Sequence, residues 1–158
     1  MPFITAHLYD RNMARFEKAG LRGWRRELLK HVHGEVLEIG AGTGANLDHY
    51  SEQVTRLVLA EPDKHMRRIL ERKVSDRGLE RTQVSDGTAE HIRAEGESFD
   101  CVVASLVLCG VSNPGTALEE IKRVSRPRGY FVFLEHVAAA EGTSARRWTK
   151  AADLVGIR

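Results

Sequence analysis

Glu35-Val36-Leu37-Glu38-Ile39-Gly40-Ala41-Gly42-Thr43-Gly44 decides how this chain folds. A short strand with few polar residues runs into three glycines, each separated from the next by one residue. Glycine tolerates positive φ and leaves backbone N–H groups unshielded, so such a turn can receive a ligand on its main chain. The run predicts a strand, a tight turn at Gly40 to Gly44, and a helix over Ala45 to Gln53.

The flanks repeat that alternation. Upstream, Met13, Phe16, Leu21, Trp24, Leu28 and Leu29 recur at near-helical spacing, with Gly20 and Gly23 as interruptions, which predicts two short helices or one broken one. Downstream, Thr55 to Ala60 reads as a second strand ending at Glu61-Pro62. Asp63 is then the N-cap of a charged helix over His65 to Arg77, closed by Gly78. Thr82 to Val84 is a short third strand. Phe99 to Val107 is a fourth, continuously apolar as a strand covered on both faces must be. Asn113-Pro114 starts a helix with Ala117, Leu118, Ile121 and Val124 on its apolar face. Pro127-Arg128-Gly129 reads as a turn before a fifth strand, Tyr130 to Leu134, which ends at Glu135-His136. Glu141 to Val155 reads as helical. Strands alternating with helices call for right-handed crossovers and a parallel sheet with helices on both faces. Ligands bind such sheets outside the carboxyl ends of the strands.

At 158 residues there is room for one domain, 1–158, divided into an N-terminal helical cap (1–33), a core (34–136) and a C-terminal helix (137–158). Net charge is +2, with no global pull towards nucleic acid. Seven basic residues between Arg11 and Lys30 read as a solvated helix face. No segment is apolar enough for a membrane span, and residues 1–10 lack a signal-peptide layout, which points to the cytoplasm. Cys101 and Cys109 read as buried, reduced thiols. His31 and His33 have no third ligand nearby in sequence, so no metal site is expected.

The unusual residues gather at the predicted strand ends. Glycine turns serve dinucleotides, nucleotides and S-adenosylmethionine (SAM) alike, and Gly40, Gly42 and Ala45 fill a G-x-G-x-x-G/A spacing. Glu38 discriminates. A carboxylate two residues before the first glycine can hold an ammonium group but repels a pyrophosphate, by on the order of 4 kcal/mol at about 4 Å in a partly screened site. SAM carries an ammonium and a sulfonium; NAD carries neither. Glu61 is placed for ribose hydroxyls, a role common to both ligands. His136, at the ligand end of strand five, is the candidate general base for a thiol or hydroxyl acceptor.

Four segments, in order and spanning roughly residues 30–136, resemble the class I SAM-dependent methyltransferases. They are Val36 to Gly44, Glu61-Pro62-Asp63, Phe99 to Val103 with Leu106-Val107-Leu108-Cys109, and Ile121 to Gly129. Within that family the chain is similar to the methyltransferase type 11 set. Thr43 to Asn46, Leu106 to Cys109 and Glu135 to Ala139 resemble thiol methyltransferase-like proteins, and ubiquinone/menaquinone-type C-methyltransferases are more distant. The resemblance implies a Rossmann-like, mainly parallel sheet of order 3-2-1-4-5. It implies that Glu38 with the backbone of Gly40, Ala41, Gly42 and Gly44 holds the methionine part of SAM. Glu61 would hold the ribose, Pro62 would flank the adenine, and Thr88, Ala89 and Glu90 would meet the adenine ring. Leu106 would line the methionine pocket, with Cys109 beside it, and Tyr9 and Asp10 would close over the cofactor. Thr88 stands where the family often has aspartate, Ser125 where it has leucine, and Arg128 where it has glycine.

Members of the family usually add a two-strand hairpin after strand five, and none is legible before Arg158. The C-terminal helix or a second copy of the chain is therefore expected to cover the fifth strand's edge. The function expected is methyl transfer from SAM to a small molecule, a thiol or lipophilic acceptor. The alternatives are a non-catalytic SAM-binding module and, more weakly, an NAD-dependent oxidoreductase.

Overall fold

The computed structural model describes residue 11 and residues 13–135. Five strands form one sheet of order β3-β2-β1-β4-β5: β1 Gly34–Ile39, β2 Val54–Ala60, β3 Thr82–Ser85, β4 Phe99–Ser105 and β5 Ser125–Leu134. All four neighbouring pairs are parallel. Helix α1 (Arg22–Leu29) precedes the sheet, while α2 (Lys64–Asp76) and α3 (Pro114–Val124) lie in the crossovers from β2 to β3 and from β4 to β5; all three pack on its faces.

Successive side chains on a strand point to opposite faces, so each central strand feeds two cores. Leu37, Ile39, Val58, Val102 and Ala104 join Ala117, Ile121 and Val124 of α3 on one side. Val36, Leu57, Leu59, Cys101 and Val103 join Leu29 of α1 and Leu70 of α2 on the other. Glu38 shares the parity of Val36 and so enters the second face, at its ligand end. Two helix starts follow their sequence signals. The Asp63 carboxylate accepts the His65 and Met66 N–H groups, and Asn113 accepts from Thr116 with Pro114 just inside α3.

Several expectations change. No helix spans Ala45 to Gln53; residues 42–46 are turn and only Leu47–His49 is 3-10 helix. The cap breaks at Gly20 (φ 133°), inside a π-helical turn Glu17–Leu21, whereas Gly23 sits within α1. The apolar stripe there is not wholly buried, since Phe16 and Trp24 are 63% and 65% exposed. The fourth strand stops at Ser105, and Leu106 (φ 59°) bends the chain into the 3-10 turn Leu108–Gly110. Strand five begins at Ser125, and the predicted 127–129 turn is a bulge within it. Phe99 pairs with Ser125 and Cys101 with Tyr130, and Arg128 takes φ 68° between them. The predicted C-terminal helix and cover of the β5 edge lie outside the described residues. No helix among those described is long and apolar enough to cross a membrane.

Candidate functional site

β2, β1, β4 and β5 are neighbours in the sheet, and the candidate residues sit at their carboxyl ends. Gly40, Gly42 and Gly44 all have positive φ, at 61°, 58° and 86°. They do different work. A Cβ on Gly40 would lie 2.5 Å from Val107 Cγ2, and one on Gly44 2.6 Å from Leu47 Cδ1, so those two glycines let the turn pack. A Cβ on Gly42 would meet nothing within 4 Å, so the turn is bare on the side away from the core.

Glu38 is 3% exposed. Asn46 Nδ2 donates to its Oε1 at 2.9 Å and the Tyr50 hydroxyl to its Oε2 at 2.7 Å. Asn46 Nδ2 also reaches Ser105 Oγ at 3.1 Å, linking the end of β4. Arg25 fixes the amide's orientation from the other side: its Nη1 donates to Asn46 Oδ1 at 3.0 Å while its Nε pairs with Glu17 Oε1. Arg25 is 4% exposed, so this one member of the basic segment is not on a solvated face. This network accounts for the missing helix after the glycine turn, because Asn46 and Tyr50 are turned inward to the carboxylate.

Among the described residues no cation lies in ion-pair contact with Glu38. Burial without a counter-charge pushes its pKa up to about 7, against the two hydrogen bonds and the more distant Arg25, which lower it. Glu61 is 5% exposed and likewise raised by burial. Its Oε2 accepts the Gly42 N–H and its Oε1 the Asp63 N–H, both at 2.8 Å, so it clamps the turn to the end of β2. Each of these oxygens retains a second lone pair. A buried, uncompensated carboxylate beside a bare backbone turn fits a ligand that presents an ammonium group, and Glu61 beside it fits a hydroxyl-bearing one.

The other predicted residues are spread around the same end of the sheet. Ala41 is buried, and its N–H donates to the Ala60 carbonyl. Pro62 is exposed beside Glu61. Thr88 bridges to His91, Ala89 packs into the core, and Glu90 Oε1 accepts the Ser112 N–H at 2.7 Å. Glu90 is therefore engaged with the turn before α3. Leu106 N–H donates to the Leu134 carbonyl at 2.7 Å, tying β4 to β5 where both end. Cys101 is buried as expected, but Cys109 is not: the chain leaves the sheet at Ser105 and Cys109 is exposed in the 3-10 turn that follows. His33 Nδ1 lies 2.9 Å from the His31 carbonyl oxygen and 3.1 Å from the Tyr130 hydroxyl. His136, Tyr9 and Asp10 lie outside the described residues.

Sequence reasoning missed Asn46 and Tyr50 as partners of Glu38, with Ser105 and Arg25 behind Asn46, and it placed Glu135 at the ligand end of strand five without giving it a role. Glu135 Oε1 accepts the Val107 and Leu108 N–H groups at 2.8 and 2.9 Å. The one available signal was a carboxylate ending an apolar strand on the ligand side.

Residues 37–133 match the family described as Methyltransferase domain. The chain is 33% identical over 158 residues to the human thiol S-methyltransferase TMT1B, covering 93% of this chain and 62% of that protein. It is 38% identical over 121 residues to the human thiol S-methyltransferase TMT1A, covering 75% of this chain and 49% of that protein. The chain thus spans about three fifths of the first relative's length and half of the second's. In fold it resembles the YcgJ protein from Bacillus subtilis, with a TM-score of 0.71 at 23% identity over 85% of this chain and 58% of that one.

Proposed function

The chain belongs to the Methyltransferase domain family, and from that premise we propose that it transfers a methyl group from SAM to a small acceptor, a thiol or another lipophilic nucleophile. The observation that carries this is the buried Glu38 carboxylate, uncompensated among the described residues and set against the bare Gly42 turn. When bound, SAM supplies an electrophilic methyl group on a positively charged sulfur. Glu38 would receive its ammonium, and the Gly40 to Gly44 backbone would face its amino-acid portion. Glu61 would accept from the ribose while continuing to hold the Gly42 N–H. Ser105 and Leu106 would flank the methionine chain from the end of β4, and Pro62 with Ala89 would bound the adenine.

What the chain supplies to the reaction is position. Alignment of nucleophile and methyl carbon can contribute several kcal/mol to an in-line displacement. The thiol preference rests on the two curated relatives named above, each a thiol S-methyltransferase.

Calorimetry with SAM, S-adenosylhomocysteine and NAD tests the ligand class. The first two should bind and NAD should not, and tight NAD binding would refute the reading. Incubation with SAM labelled in its methyl group and a panel of thiols, phenols and amines tests the reaction. Label should pass to thiols; binding of SAM with no transfer to any acceptor would favour the non-catalytic alternative.

A further inference from the structure

Glu135 carries a second oxygen with no hydrogen-bond partner among the described residues, and its carboxylate also bears on the Cys109 thiol, adding to burial in pushing that thiol up. Glu135 Oε1 is held by two backbone N–H groups, while the unpartnered Oε2 is buried. Stranding a carboxylate oxygen in this way is costly unless something else meets it. Glu135 also lines a cavity of about 310 Å3 with Leu106 and Leu134 from the sheet and Phe16, Leu21 and Trp24 from the cap. That volume is within the range of small-molecule sites, and apart from the one carboxylate these walls are hydrocarbon or aromatic. The cavity abuts Leu106, at the end of the strand that also brings Ser105 to the Glu38 network.

We propose that this cavity takes the alkyl or aryl body of an apolar thiol, and that Glu135 Oε2 accepts the thiol proton. The inference rests on the methyltransferase reading and adds the acceptor's site and its proton acceptor. The acceptor sulfur forms a bond to the methyl carbon as the bond between that carbon and the donor sulfur breaks, the breaking pair staying on the donor sulfur. The thiol proton passes to Glu135 Oε2 as the new bond forms, so the sulfur attacks with thiolate character. Glu135 then releases the proton to water. The products are a neutral thioether, a neutral demethylated donor and one proton, which balances the charge of the sulfonium consumed.

Glu135→Gln is the direct test, since the amide oxygen can keep both backbone contacts while an NH2 replaces Oε2. SAM affinity by calorimetry should stay within about twofold of wild type. Turnover of an alkyl thiol at neutral pH should fall about 100-fold or more, in line with loss of a positioned proton acceptor. The deficit should shrink as pH rises and the thiol ionises by itself, and it should be smaller for an acidic aryl thiol. Wild-type turnover at all pH values, or a deficit that pH does not alter, would overturn the proposal.

A second measurement needs neither SAM nor turnover. In a Trp148→Phe background, Trp24 is the one remaining tryptophan, and its fluorescence should respond saturably to octanethiol and to its methyl thioether. Ala19→Phe should weaken that response, because Ala19 also lines the cavity. No fluorescence response in a chain that binds SAM would sink this inference alone; failure to bind SAM would sink the methyltransferase reading instead.

Discussion

The two ends of the sheet each carry a pair of carboxylates, one of each pair on β1, and treat them in opposite ways. At the amino end, Glu35 of β1 and Asp100 of β4 meet Arg56 of β2 and Arg126 of β5. Arg56 Nη1 pairs with Glu35 at 3.0 Å, Arg126 Nη1 contacts both oxygens of Asp100 at 2.9 Å, and Arg126 Nη2 returns to Glu35 at 3.2 Å. Both acids are held below their ordinary range, Glu35 chiefly by the Arg56 bond and Asp100 chiefly by the Glu35 backbone N–H. At the carboxyl end, Glu38 and Glu61 are buried, are raised by that burial, and have no ion-pair partner among the described residues. The amino end pairs its acids with arginines, whereas the carboxyl end holds two buried carboxylates that no cation among the described residues pairs.

The largest effect should come from Glu38→Ala. If the ammonium of SAM completes the carboxyl end, removing its buried partner should weaken SAM by about 100-fold or more in calorimetry. Unchanged affinity would erase the distinction between the two ends. Gly40→Ala should cost about 2–3 kcal/mol of fold stability in chemical denaturation, because the new Cβ meets Val107 at a positive φ. A variant as stable as wild type would mean that the turn at this end can yield.

The next effect concerns pH. Lowering pH through about 7 protonates Glu38 and removes the charge that an ammonium needs, so SAM should bind about tenfold less tightly at pH 6 than at pH 8. The stability of the unliganded chain moves with the opposite sign. In the window between the ordinary carboxylate pKa and about 7, the native state keeps a proton that the unfolded chain has lost, so Glu38 makes stability fall as pH rises. Glu35 and Asp100 contribute stability above their ordinary range and lose it in acid. The smallest effect is expected at the amino end. Asp100→Asn removes a partly exposed pair, should cost at most about 1 kcal/mol, and should leave SAM affinity unaltered. A large loss of affinity would show that the two ends are coupled.

Much of this division was readable from the sequence because its signals are local. Asp63 and Asn113 cap the helices that follow them, apolar runs became buried parallel strands, and the glycine run stands at the end of β1. The carboxylate inside the first strand was legible too, and the structure places it buried at that strand's ligand end. The rest depended on contacts between distant residues. Helical propensity after Gly44 lost to Asn46 and Tyr50 serving Glu38. Arg25, one of seven basic residues in its segment, was drawn inside by an amide 21 positions away. At the Arg128 bulge, Arg126 meets Asp100 across the strand pair, a contact between residues 26 positions apart. None of these choices has a periodicity.

The Arg25–Asn46 contact joins the cap to the floor of the cleft, and this bears on the order in which the domain assembles. The amide that braces Glu38 is itself braced from α1, so the strands can pair before the ligand end has acquired its final shape. Amide hydrogens of β1 and β4 should then exchange with solvent only on global unfolding, while those of residues 42–50 open together with the cap, in a smaller and cheaper excursion. A bound ligand would slow that local opening first, and the protection would spread into α1, which never touches Glu38 directly.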